Sequence, residues 1–170
     1  MISIPFEGNR LLEGWMISAI VMANSGRPFS VTDGFDQAGF ANNTQTRSRP
    51  DAVAGCKPVI GRADRWYDPA CFRLQPAGRP GNLGRNTLTG PRMFTTDLAL
   101  IKDIRLREPA TLQLRTELFN VFNHPNFGLP NLDVFVPDGT GGVSVSPIAG
   151  RITTTTTPGR QIQFGVKILF

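Results

Sequence analysis

Cys56 and Cys71, fifteen positions apart, are the only two cysteines, and His124 is the only histidine. Thiolates and imidazoles are the side chains that most readily hold zinc or serve as nucleophile and base. A zinc site usually announces itself by a close Cys-x-x-Cys pair, which is missing, and His124 lies in a different stretch from both cysteines. As a general base, His124 would need a Ser, Cys or carboxylate partner in a recognised motif, and none surrounds it. Residues 78–86, GRPGNLGRN, space their glycines like a phosphate-cradling loop. No Gly-Lys-Ser/Thr follows and no strand-loop-helix pattern flanks them, so turn glycines explain the segment. Arg65-Trp66-Tyr67 and Arg92-Met93-Phe94 set cations beside aromatic faces that could stack nucleobases. The net charge is +5, but the eighteen Lys and Arg are scattered singly rather than gathered on one surface. The expectation is therefore no catalytic residue, no metal, no cofactor and no nucleic-acid partner.

What must position such side chains is a scaffold of strands. Only 18% of the 170 residues are charged, 40% are apolar, and 18 Gly with 14 Pro favour short connections and strands over helices. Four stretches alternate with period two. Residues 12–23 set Trp15, Ile17, Ala19 and Val21 against Met16, Ser18, Ile20 and Met22. Residues 94–105 set Phe94, Thr96, Leu98 and Leu100 against Thr95, Asp97, Ala99 and Ile101. Residues 111–122 set Leu112, Leu114, Thr116 and Leu118 against Gln113, Arg115, Glu117 and Phe119. Residues 161–170 put Ile162, Phe164, Val166, Ile168 and Phe170 on one face and Gln161, Gln163, Gly165 and Lys167 on the other. Residues 1–6 form the end of a fifth strand.

The connections sort into two kinds. Residues 7–10 and 107–109 are tight turns, whereas 33–90 and 124–159 are long irregular loops. Strands that follow one another antiparallel place alternate connections at opposite ends of a sheet, so short turns share one end and long loops the other. Compact soluble domains seldom hold a structureless loop of such length. Transmembrane barrels are built this way, with short periplasmic turns, long outer loops and an apolar lipid face alternating with a polar lumen face. Eleven residues at ~3.3 Å each, tilted by about 40°, rise roughly 28 Å, enough to cross a bilayer core. The expected fold class is all-β, an antiparallel meander of four to five long strands forming the carboxyl-terminal part of a transmembrane barrel. A soluble β-sandwich or small barrel acting as a binding or adhesion module is the alternative.

Several longer segments narrow this further. GWMISAIVMANSGRPFSV (14–31), WYDPACF (66–72), GRNTLTGPRMFTTDLALIKDIRL (84–106), LRTELFNVFNHPNFGLPN (114–131) and GRITTTTTPGRQIQFGVKILF (150–170) occur in that order. Together they resemble the carboxyl end of TonB-dependent outer-membrane receptors, specifically the Oar-like barrels that often carry a carboxypeptidase-regulatory-like domain at their amino end. The resemblance implies a Gram-negative outer-membrane location, a role in solute uptake and no enzymatic activity. It also implies a longer parent, because such receptors have a signal peptide, a plug that reaches TonB, and a barrel of about 22 strands. Residues 1–170 are expected to be a partial barrel without plug or signal peptide.

On this reading Trp15, Ile17, Leu98, Leu100, Leu112, Leu114, Leu118 and Ile162 face lipid, and Gln113, Arg115, Glu117, Gln163 and Lys167 face the lumen. Phe164, Val166, Ile168 and the terminal Phe170 resemble the signal that the barrel-assembly machinery reads. An edge strand that happens to end in Phe is the plainer explanation. The expected partners are outer-membrane lipid, the rest of the barrel with its plug, the assembly machinery, and TonB through the missing amino-terminal part. Outside the membrane the surroundings are oxidising, so Cys56 and Cys71 either form a disulfide or remain as unpaired thiols.

Overall fold

The computed structural model describes residues 2–3, 12–40 and 47–170. The chain forms two compact units, one from residues 1–24, 93–126 and 157–170, the other from 25–92 and 127–156. No α-helix occurs among the described residues.

The first unit is a sheet of five strands lying side by side in chain order: β1 (Ile2–Ser3), β2 (Trp15–Asn24), β3 (Met93–Arg107), β4 (Ala110–Phe119) and β5 (Gln161–Leu169). All four neighbouring pairs run antiparallel. The sequence expectation of a meander is met, because alternating apolar and β-branched residues suit a pleated surface with two unlike faces. Strand ends differ from the sequence reading. β2 begins at Trp15 rather than Leu12, β3 is longer at both ends, β4 stops at Phe119, and Phe170 lies beyond β5. Asn120 ends β4 by turning to φ 49°, outside the extended region, so residues 120–122 leave the ladder. Of the fifth strand expected over 1–6, only Ile2–Ser3 is described, and the tight turn expected at 7–10 lies outside the described residues.

Gly14 shows why β2 starts where it does. Its φ is +73°, and a Cβ there would stand 2.5 Å from the Asp103 carbonyl oxygen, while the Asp103 N–H donates to the Gly14 carbonyl at 2.9 Å. Only glycine allows both the left-handed turn and the close approach. At that same end Arg107 pairs with Ala110 across Glu108 and Pro109, after a register shift at Leu106. At the opposite end Asn24 pairs with Met93 and Phe119 with Gln161, so both long connections leave and return there.

The second unit corrects the expectation that those connections are irregular. They have a core of their own, in which Phe29, Val31, Tyr67, Phe72 and Leu88 from the first connection bury against Val134 and Phe135 from the second. Thr32–Asp33 pairs parallel with Asp133–Pro137, which pairs antiparallel with Val143–Val145. Pro28–Phe29 pairs with Leu88–Thr89, and Asp51–Ala52 with Phe72–Arg73. These strands are too short to show as period-two patterns.

Candidate functional site

The candidate site is the sheet's pair of faces, together with the residues that hold its loop-bearing end. Register partners in antiparallel strands project to the same side, so the pairings decide which residues share a face. One row runs Trp15, Lys102, Leu114, Val166, and the next runs Ile17, Leu100, Thr116, Phe164. A third joins Ala19, Leu98, Leu118 and Ile162. Leu112 adjoins Ile104 and Ile168 on that same side. All eight residues expected to face lipid therefore lie on one face, with Phe164, Val166 and Ile168 beside them. That face is open: Val166 is 71% exposed and Phe164 80%.

The other face carries Gln113, Arg115, Glu117, Gln163 and Lys167, where Lys167 is partnered with Gln113, Gly165 with Arg115, and Gln163 with Glu117. Gln113 Nε2 donates to Asp103 Oδ1 on β3 at 2.9 Å. Arg115 bonds Glu117 Oε1 through Nη2 at 2.6 Å and Nε at 3.0 Å, a pair along one strand rather than across two. Ser18, Asp97, Arg115 and Glu117 line a shallow hollow on this side with Ile20 and Phe119. The polar character fades on β2, where Met16, Ile20 and Met22 occupy this face.

Lys102 was missed by the sequence reading. Continuing the alternation two residues past Leu100 puts this cation on the apolar face, yet it is only 6% exposed. Its Nζ lies 5.1 Å from the centre of the Trp15 ring and donates to the Glu13 carbonyl. The aliphatic stem covers apolar surface while the ammonium reaches the backbone at the sheet's turn end.

At the loop-bearing end three asparagines spaced by three residues satisfy the backbone where the ladder stops. Asn120 Oδ1 accepts from the His124 N–H at 2.9 Å, and its Nδ2 donates to the carbonyls of His124 and Pro158. Asn123 Oδ1 accepts from the Arg160 N–H at 2.9 Å. Asn126, fully buried, accepts from the Phe94 N–H at 2.8 Å and donates to Thr157 Oγ1 at 2.9 Å. His124 is thus held as part of this clasp, its Nδ1 3.2 Å from Asn126 Oδ1 and its ring edge-on to Phe94. The signal for the clasp was the repeated Asn in 120–126, whose side chains mimic backbone groups and tolerate positive φ.

In the second unit the segment 66–72 supplies a contact from nearly every residue. Trp66 Nε1 donates to the Thr89 carbonyl at 2.8 Å, and the fully buried Tyr67 donates to the Asn131 carbonyl at 2.9 Å. Burial pushes the Tyr67 phenol well above its ordinary pKa, and no face of that ring is free to stack a nucleobase. Asp68 caps the 3-10 turn Pro69–Cys71 by accepting from the Ala70 N–H at 3.1 Å. That bond, with the Arg65 guanidinium, holds its carboxyl below the usual range. Cys71 is bonded to Cys56, with Cα atoms 5.5 Å apart. The glycine-rich 78–86 segment serves the backbone: Asn82 donates its N–H to Asp51 Oδ1 at 2.8 Å and accepts from the Ala52 N–H at 2.7 Å. Gly150, at φ +74°, lets the chain pass the Tyr67 backbone, where a Cβ would stand 2.9 Å from the carbonyl oxygen.

An antiparallel meander with one continuous apolar face, one mostly polar face and both long connections at one end defines a piece of membrane-barrel wall. Residues 5–163 match the family described as outer membrane beta barrel domain, and the chain belongs to that family. Its location is the outer membrane, and its sheet is barrel wall in contact with membrane lipid. Neither the curated proteins nor the solved structures yield a match to this chain.

Proposed function

We propose that this chain is the carboxyl-terminal part of a TonB-dependent receptor of the Oar-like type, contributing wall and solute-capturing loops to an importer. The observation that carries the wall assignment is the register, which gathers Leu112, Leu114 and Leu118 of β4 with Ile162, Phe164, Val166 and Ile168 of β5 on one face and leaves only Phe119 and Leu169 as large apolar residues on the other. Trp15, Ile17, Leu98, Leu100, Leu112, Leu114, Leu118 and Ile162 meet lipid; Gln113, Arg115, Glu117, Gln163 and Lys167 meet the lumen and its plug. The folded second unit offers solute a shaped surface rather than slack chain. Strands from the rest of the receptor cover the open edge of β5, because an unpaired edge in lipid leaves backbone groups unsatisfied at several kcal/mol each. TonB acts through the plug, the assembly machinery acts on Phe164, Val166, Ile168 and Phe170, and the chain itself carries out no catalysis.

Two substitutions within the full-length receptor test the faces. Val166→Arg should lower stability by about 2–4 kcal/mol near the bilayer midplane and reduce assembled receptor, whereas Gln163→Arg should be tolerated. Equal damage from both would overturn the face assignment. Uptake is tested by growth on candidate solutes with and without TonB, and TonB-independent uptake would overturn the receptor type.

A further inference from the structure

Asp33 and Gln75 form a buried pair that neither the wall nor the clasp uses. Asp33 is 0% exposed and Gln75 1%. Gln75 Nε2 donates to Asp33 Oδ2 at 2.8 Å, joining positions 42 residues apart. The second carboxyl oxygen, Asp33 Oδ1, and the amide oxygen, Gln75 Oε1, are both buried and accept no hydrogen bond among the described residues. Two buried acceptors, one on each of two planar groups already joined by a hydrogen bond, call for a donor between them. A proton on Asp33 Oδ1 supplies that donor, and a carboxylic acid and a primary amide then join through two parallel hydrogen bonds.

The surroundings agree. Asp33 N–H donates to the Ser48 carbonyl at 2.8 Å, and the Gln75 backbone carbonyl accepts from Gln37 Nε2 at 3.1 Å. The charged groups facing Asp33 are Asp133, from the neighbouring strand, and Asp51. Arg47 is committed to Asp133 at 3.2 Å and Arg79 to Asp51 at 2.7 Å. An ionised Asp33 would therefore sit near two further carboxylates, and the arginines beside them are paired with those carboxylates rather than with Asp33.

We propose that Asp33 carries a proton in the folded second unit, donating from Oδ1 to Gln75 Oε1, and that losing this proton loosens the junction of segments 32–33, 48–51 and 72–75. The pair is a latch on the loop-borne unit that closes in acid and weakens toward neutral pH, whatever solute the loops capture. Burial raises the Asp33 carboxyl from 3.8 to about 6, with the Gln75 bond opposing and the Asp133 and Asp51 carboxylates adding to the rise. The folded state thus keeps a proton that the opened state has lost. The stabilisation is complete below pH ~4, declines as pH rises toward ~6 and is gone above it.

Two readouts on the whole chain, folded in detergent, test this. In the first, aspartate carboxyl carbons are followed by NMR, and the Asp33→Asn variant identifies the Asp33 signal. Asp33 should titrate near pH 6, and a midpoint below about 4.5 overturns the proposal. In the second, hydrogen exchange at the Thr32 amide, bonded to the Leu132 carbonyl at 2.9 Å, is corrected for its intrinsic pH dependence. Protection should fall up to about a hundredfold between pH 4 and 7 in the native chain. It should stay flat in Asp33→Asn, whose amide keeps both hydrogen bonds. The same pH dependence in both proteins overturns the latch. If Asp33→Asn does not fold, the Asp33 carboxyl signal is assigned in the native chain by correlation to its own backbone amide, and its midpoint decides alone, above or below about 4.5.

Discussion

Asn126 and Phe94 are joined by a 2.8 Å hydrogen bond from the Phe94 N–H to Asn126 Oδ1, which places a fully buried loop residue at the start of β3. The same amide reaches Thr157, three residues before the chain's last connection ends. One side chain therefore ties together the point where a long connection departs and the point where it returns.

Asn126→Ala should cost about 1–3 kcal/mol, because it strands donors inside the structure instead of merely deleting a bond. Denaturant unfolding in detergent measures it. Asn126→Asp keeps the acceptor for Phe94 and should lose less; equal losses would mean that the Phe94 bond contributes nothing.

Phe170 is 95% exposed and lies outside β5, so it contributes little to the folded sheet. Deleting it should change unfolding stability by under about 0.5 kcal/mol while lowering the amount of barrel assembled in the outer membrane. Unchanged surface levels would remove the assembly-signal role.

The Cys56–Cys71 bond closes a short loop in the second unit and brings the buried Cys71 into its core. Breaking such a link costs about 3 kcal/mol on chain-entropy grounds. The Cys56→Ser, Cys71→Ser double variant should leave the sheet intact but increase protease cleavage within 25–92. Cleavage unchanged from native would show that the aromatic core suffices.

Lys102 tests depth. Lys102→Met should change stability by no more than about 1 kcal/mol where the ammonium reaches the interface, whereas a lysine held at the bilayer midplane would be relieved by about 2–4 kcal/mol. The small change is expected, since Lys102 donates to the Glu13 carbonyl at the turn end of the sheet. Unfolding measurements in lipid vesicles distinguish the two.

How much of this was legible beforehand depends on how local each cause is. Which side of a strand a residue takes is set by its immediate neighbours, since successive side chains point to opposite faces. The strands around Trp15, Leu98, Leu114 and Phe164, their two faces and the unequal connections could therefore be read from the chain alone. The strand ends could not, because Asn120 stops β4 through bonds to His124 and Pro158 that no periodicity records.

The amino-acid sequence by itself determined that alternating strands exist, which residues share a side of each strand, and that the long connections fall at one end. Only the tertiary structure decided that Lys102 is accommodated on the apolar face, that three asparagines close the loop-bearing end, and that Phe29, Tyr67 and Val134 share a core. It alone brought Asp33 to Gln75. The physical reason is distance along the chain: alternation is written between neighbours, whereas these contacts join residues tens of positions apart and exist only once the backbone has brought them together.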